Sequence, residues 1–147
     1  MHAWLVRDWM TPTPISAPPT MTLPEALQLM AQHNIRRLPV VEKGTLVGIV
    51  TRGDLRGAQP SQATSLSVFE LHYLVGRITL QQIMTRSPLT VADTMTIQAA
   101  ARLMLQRKIS GLPVVKDGRL VGIITESDIF RLVVRTWEEQ PEPQPAG

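Results

Sequence analysis

Met10 to Arg56 align without a gap on Met84 to Phe130, 74 residues further on, and 22 of the 47 pairs are identical. Mismatches such as Ile15 with Leu89, Ser16 with Thr90 and Val50 with Ile124 are conservative. A repeat held in register over this length requires two copies of one folding unit. A unit of about 50 residues has a marginal core by itself. The copies are therefore expected to share a core about an approximate two-fold axis, with equivalent clefts between them.

Within each copy the pattern alternates between helical and strand periods. Thr22 and Glu25 stand at capping-box spacing, Pro24 falls in the tolerant first turn, and Leu23, Ala26, Leu27 and Met30 follow at helical intervals, which predicts an amphipathic helix over 22–33. Ile97, Ala100, Ala101 and Met104 repeat the stripe, with Ala99 in place of the capping glutamate. Leu38–Val41 and Leu46–Val50 are short apolar runs around a glycine turn and read as a hairpin. The second copy has the favoured pair Asp117-Gly118 at that turn. Pro39 and Pro113 lack a donor, so each is expected to begin its strand or lie on an edge. Pro14-Ile15 and Pro88-Leu89 are extended segments able to add a third strand. The expected class is α+β: two β-α-β-β-α units packed as a pseudo-two-fold pair, over 6–58 and 80–135. Residues 59–79 form a linker and an extra helix within 65–78, with Val68, Leu71, Val75 and Ile78 on one stripe. The Pro- and Glu-rich residues 138–147 are expected to be disordered.

The local signal that carries chemistry is Gly48-Ile-Val-Thr51-Arg-Gly-Asp54, matched by Gly122-Ile-Ile-Thr125-Glu-Ser-Asp128. A strand ends in threonine, and three residues later an aspartate sits in the first turn of a helix. That spacing also makes a capping box, and both roles can coexist. Together with Met-Thr at 10–11 and 84–85 and Leu-Pro-Val-Val at 38–41 and 112–115, it resembles the cystathionine β-synthase (CBS) domain in tandem. The resemblance runs from about residue 6 to 135 and is strongest to stand-alone bacterial CBS-pair proteins of the acetoin-utilisation type.

The resemblance implies a regulatory module whose inter-repeat clefts bind AMP, ADP, ATP or S-adenosylmethionine. By motif position, Asp54 and Asp128 would accept from ribose hydroxyls, and Thr51 and Thr125 would contact ribose or phosphate. Groups around Ile15, Leu38 and Pro39, and around Leu89, Leu112 and Pro113, would read adenine. It also implies a homodimer and a protein target reached in trans. The chemistry is apt, since a carboxylate accepts from both hydroxyls of a cis-diol through charge-assisted bonds. The copies diverge at the entrance: Arg36-Arg37 and Arg52-Gly53 in the first face Ser110-Gly111 and Glu126-Ser127 in the second. The resemblance implies that a basic residue at the position of Arg37 grips ligand phosphates, a task that guanidinium geometry suits, so Arg36, Arg37 and Arg52 are the candidate phosphate contacts. The second cleft would take a less phosphorylated ligand or stay empty.

Composition limits the alternatives. The acidic last ten residues mask a core bias, for the first 137 carry a net +6 against +3 overall. This favours anionic partners. Nucleic acid is disfavoured by the lack of a basic helix and by only two Phe and one Tyr. No stretch approaches a membrane span, and MHAWLVRDWM lacks the pattern of a secretory signal, so a cytoplasmic location is expected. With no cysteine and three isolated histidines, at 2, 33 and 72, neither a disulfide nor a metal site is anticipated. No nucleophile constellation or cofactor loop is present, so no enzymatic role is expected. Besides the ligand sensor, a structural dimerisation module with vestigial clefts remains open.

Overall fold

The structure, a computed structural model, describes residues 4–60, 66–140 and 143. The first half runs α1 (Val6–Trp9), β1 (Thr11–Pro12), α2 (Leu23–His33), β2 (Arg37–Glu42), β3 (Thr45–Thr51), α3 (Arg52–Gly57) and α4 (Val68–Val75). The second continues α5 (Leu80–Ile83), β4 (Thr85–Arg86), β5 (Val91–Ala92), α6 (Ile97–Arg107), β6 (Gly111–Lys116), β7 (Arg119–Thr125) and α7 (Glu126–Glu139). The α+β class expected from the pattern is the class found.

Two compact units form, and their membership departs from the order of the repeats. One, the first-copy unit, comprises Pro14–Pro88 with Gly118–Leu120. The second-copy unit comprises the segment up to Thr13, Leu89–Asp117 and the chain from Val121 onward. Each repeat's leading helix thus packs in the unit built on the other copy. Val6 of α1 is fully buried with Val91, Ile97, Leu112 and Ile124, whereas Leu80 of α5 is fully buried with Leu23, Leu38, Val50 and Leu55. The single shared core expected from the short copies is replaced by two cores, each completed by a borrowed helix. Fully burying a Leu or Val side chain is worth about 1.5–3 kcal/mol, which explains why such short helices are held.

In the first-copy unit, Thr22 caps α2 by accepting from the Glu25 amide, and Asn34 ends the helix in the left-handed region at φ 51°. The β2–β3 hairpin turns at Lys43-Gly44, both with positive φ, as a tight turn with the twist of its strands demands. Pro39 is the third residue of β2 rather than its first. Its carbonyl accepts from the Ala17 amide, so its missing donor faces the Pro14–Ala17 segment and the β2–β3 ladder stays intact. Ala17 bridges Val40 in parallel, a single bridge where a third strand was anticipated upstream of α2. On the other side of β3, β4 pairs antiparallel at Gly48 and Ile49. A Cβ on Gly48 would meet the Met84 side chain and stand 3.0 Å from the Thr85 carbonyl oxygen, so the motif glycine makes room for the Met-Thr of the other repeat.

The second repeat shows the same features 74 residues on. Thr96 caps α6, Lys108 ends it at φ 54°, and Asp117-Gly118 takes the positive-φ turn. Strand β6 lies between β7 and β5, β5 is parallel to β6, and β1 pairs with β7 at Gly122 and Ile123. A Cβ on Gly122 would meet the Met10 side chain and the Thr11 carbonyl oxygen, mirroring Gly48.

Two regions differ from expectation. The inter-repeat helix α4 is capped by Ser67, yet no residue in it is buried, and Val68, Phe69 and Tyr73 are exposed. Only Val75 and, beyond its end, Ile78 pack on the core, so the four-residue stripe is half used. Helix α7 extends through Glu139 into the segment expected to be disordered. Residues 61–65 of the linker region and 141–142 and 144–147 of the tail lie outside the described residues.

Candidate functional site

In the first-copy unit, Ile15, the start of β2 and the end of β3 come together at one end of the sheet. Leu38, Val40 and Val50 point into the core with α2. Alternation therefore turns Arg37, Pro39 and Thr51 to the opposite face. Arg37 lies directly across from Thr51 in the register, and the parallel segment brings Ile15 abreast of Leu38. Thr51 then caps α3. Its hydroxyl accepts from the Asp54 amide at 3.1 Å, and Asp54 Oδ2 accepts from the Thr51 amide at 2.8 Å. The capping box is complete, yet it uses only one carboxylate oxygen. Asp54 is exposed, and its Oδ1 has no partner among the described residues.

The second-copy unit builds the same end from Leu89, Leu112, Pro113, Thr125 and Asp128, but its carboxylate is engaged on both sides. Asp128 Oδ2 accepts from the Thr125 amide at 2.8 Å and its hydroxyl at 3.3 Å. Oδ1 takes the guanidinium of Arg131 as an ion pair. Asp128 is 2% exposed. The cause is local: α7 continues past the cap and places Arg131 one turn on, whereas the matching position in the short α3 is Gly57, where an added Cβ would meet nothing within 4 Å.

The side chains of Leu38 and Leu112 are buried in their cores and offer a ligand only backbone; Pro39 and Pro113 are buried too. Ile15 is half-buried and Leu89 is 39% exposed. Arg36 and Arg52 are not gathered with Asp54. They line a separate groove with Arg56, on another flank of α3. Arg131 and Arg56 escaped the sequence reading. The signal for Arg131 was its spacing of three from Asp128, one residue beyond the aligned repeat; for Arg56 it was its spacing of four from Arg52. Among the described residues no group of three or more His, Asp or Glu is arranged to hold a metal ion, and no helix is long and apolar enough to cross a membrane.

The CBS domain profile matches residues 6–61 and 74–135. The chain belongs to the CBS domain family. It is a tandem CBS pair, and similar in length to a CBS domain-containing protein of Dictyostelium discoideum, at 34% identity over 93% of this chain and 96% of that one. Some other curated relatives are much longer. L-aspartate semialdehyde sulfurtransferase of Methanocaldococcus jannaschii is 36% identical over 87% of this chain, which spans only 23% of that protein. Among solved structures, an acetoin utilization protein (AcuB) from Vibrio cholerae, itself assigned only provisionally, superposes with a TM-score of 0.79 at 33% identity, over 97% of this chain and 100% of that one. The CBS pair of protein MJ0100, solved with 5′-methylthioadenosine and S-adenosyl-L-methionine, gives 0.76 at 34%, over 92% and 99%. CBSX2 from Arabidopsis thaliana, solved with AMP, gives 0.74 at 34%, over 90% and 98%.

Proposed function

We propose that this CBS pair is a regulatory sensor of an adenosine-containing ligand, held first at the first-copy site. The observation that carries the reading is the Oδ1 of Asp54, unpartnered among the described residues, at the sheet end where Arg37 lies across from Thr51 and Ile15 runs abreast of Leu38. Asp54 accepts from the ribose hydroxyls. Thr51 adds a contact to ribose or phosphate, Ile15, Pro39 and the Leu38 backbone contact adenine, and Arg37 meets the phosphate. Arg36 and Arg52 are set aside, because their side chains line a different groove. At the second copy, Asp128, Thr125, Leu89, Leu112 and Pro113 form the equivalent set, closed by Arg131 until a ligand displaces it. The reading is supported by the adenosyl ligands of the MJ0100 and CBSX2 pairs. Repeats over 6–58 and 80–135, a cytoplasmic location, no catalytic step and a protein target acted on in trans belong to the same proposal. A target responds only if ligand favours one conformation over another.

A homodimer is proposed through the second-copy helical face. There Leu105, Phe130 and Val134 are exposed beside a groove of about 520 Å³ floored by Met104, Ile109 and Ile129. A two-fold contact is self-complementary, and this patch offers both knobs and a groove. Phe130→Glu is expected to yield a monomer by light scattering; an unchanged mass removes the face from consideration.

The test of the sensor is a thermal-shift panel of adenosine, AMP, ATP and S-adenosylmethionine. A ligand at 100 times its dissociation constant adds about 2.7 kcal/mol, and each kcal/mol moves the midpoint by roughly 2–4 °C for a chain of this size. A shift of several degrees that Asp54→Ala removes supports the reading. No shift with any adenosyl compound leaves the chain a structural dimerisation module, the reading that the closed second site favours.

A further inference from the structure

We infer a second, independent site in the first-copy unit: a cationic groove that binds a small anion carrying two or more phosphates. Three arginines line it, Arg36 from the loop before β2 and Arg52 and Arg56 from successive turns of α3. Leu27, Met30 and Ile35 form an apolar floor, and the groove encloses about 300 Å³, the lower end of the range for small-molecule sites. None of the three arginines has a carboxylate within ion-pair distance among the described residues. Like charges thus line one concavity with no carboxylate paired to them among the described residues, and a bound anion would be attracted by all three. Guanidinium forks match phosphate oxygens in pairs, and three of them exceed what one phosphate needs.

The groove is distinct from the ribose site. At roughly 100° per residue along a helix, Asp54 lies about 160° around α3 from both Arg52 and Arg56, on the opposite flank. Comparison with the second copy isolates the charge as a feature of this groove. The equivalent concavity there has Ser110, Glu126 and Phe130 at the positions of Arg36, Arg52 and Arg56, so an acid and a phenyl ring replace two of the cations. The backbone frame is common to both, but the first copy lines it with three cations, whereas the second has one, Lys108 at the position of Asn34, beside the acid Glu126.

The test is titration calorimetry of the full chain with inorganic tripolyphosphate, beside adenosine as a phosphate-free probe. Wild type is expected to bind tripolyphosphate, more weakly as salt rises. Arg56→Gln should cost roughly tenfold in affinity, and Arg52→Gln combined with Arg56→Gln should cost more. Asp54→Ala should leave tripolyphosphate binding unchanged while removing adenosine binding. Both arginines are exposed, so unaltered melting curves are expected to exclude misfolding as the cause. No binding by wild type, or binding indifferent to Arg56→Gln, overturns the inference without touching the adenosine result. Loss of tripolyphosphate binding in Asp54→Ala would also overturn it, by merging the groove with the ribose site.

Discussion

The sheet end at Asp54 and the sheet end at Asp128 are built on one backbone plan, yet they present different chemistry. In both, threonine and aspartate close a capping box at the start of a helix. In the first copy the helix stops after six residues and leaves one carboxylate oxygen open. In the second it runs for fourteen, and Arg131 closes that oxygen. A capping box therefore does not compete with ligand binding, because it needs only one oxygen. What decides availability is the residue one turn further on.

The strongest way to break the comparison is to attack the borrowed helices that complete each core. Leu80→Ala removes a fully buried side chain and is expected to cost about 2–5 kcal/mol. Hydrogen exchange should show the loss in α2, β2 and β3, since Leu80 packs in the first-copy core. Val6→Ala should cost about 2 kcal/mol and loosen α6 and β6 instead. If each substitution loosened the core of its own repeat, the crossed assembly would be wrong.

Next come the two aspartates, compared for stability in the absence of ligand. Asp128→Ala deprives a half-buried Thr125 amide of its acceptor and dissolves the Arg131 pair, so a loss of about 2–3 kcal/mol is expected. Asp54→Ala loses an exposed cap and should cost about 1 kcal/mol. Urea melts read both. Equal losses would show that burial of the second carboxylate adds nothing.

Much of this frame was legible in the chain because it depends on local rules. The caps at Thr22, Thr51, Thr96 and Thr125, the positive-φ turn at Asp117-Gly118 and the hairpins follow from neighbouring residues. The crossing of α1 and α5 was not legible, since either helix satisfies its apolar side equally well in two nearly identical cores. Nor was the role of the motif glycines, which only the approach of Met84-Thr85 and Met10-Thr11 reveals. At the site, the alternation of β2 explains why Leu38 belongs to the core while Arg37 faces Thr51. Arg36 and Arg52 were grouped with Asp54 because they stand beside the two shared motifs, before Leu38–Val41 and after Thr51, where the copies diverge in charge. The angular positions along α3 then put Arg52 on another flank, where it shares a groove with Arg36.

Arg131→Ala sharpens the contrast by a smaller margin. Exposed ion pairs are worth about 0–1 kcal/mol, and Arg131 is largely exposed although Asp128 is not. Freeing Oδ1 of Asp128 should raise adenosyl affinity at the second copy by up to about fivefold. Calorimetric stoichiometry should then move from one site toward two. An unchanged isotherm would mean that the guanidinium is not what closes this entrance.

The smallest expected effect separates the two helix ends that lead to these entrances. Asn34 and Lys108 end α2 and α6 at φ 51° and 54°. Asparagine tolerates the left-handed region through its short polar side chain, whereas lysine meets the Cβ–carbonyl crowding that disfavours it. Glycine lacks that crowding but gives the unfolded chain more freedom, which offsets about 0.4–1 kcal/mol of the gain. Lys108→Gly is therefore expected to stabilise by about 0.5–1 kcal/mol, raising the midpoint by roughly 1–4 °C. Asn34→Gly should change it by no more than a few tenths of a kcal/mol. Because Lys108 also lines the second-copy groove, a loss of stability in Lys108→Gly would show that its aliphatic stem covers Met104 and Ile109 enough to outweigh the backbone strain.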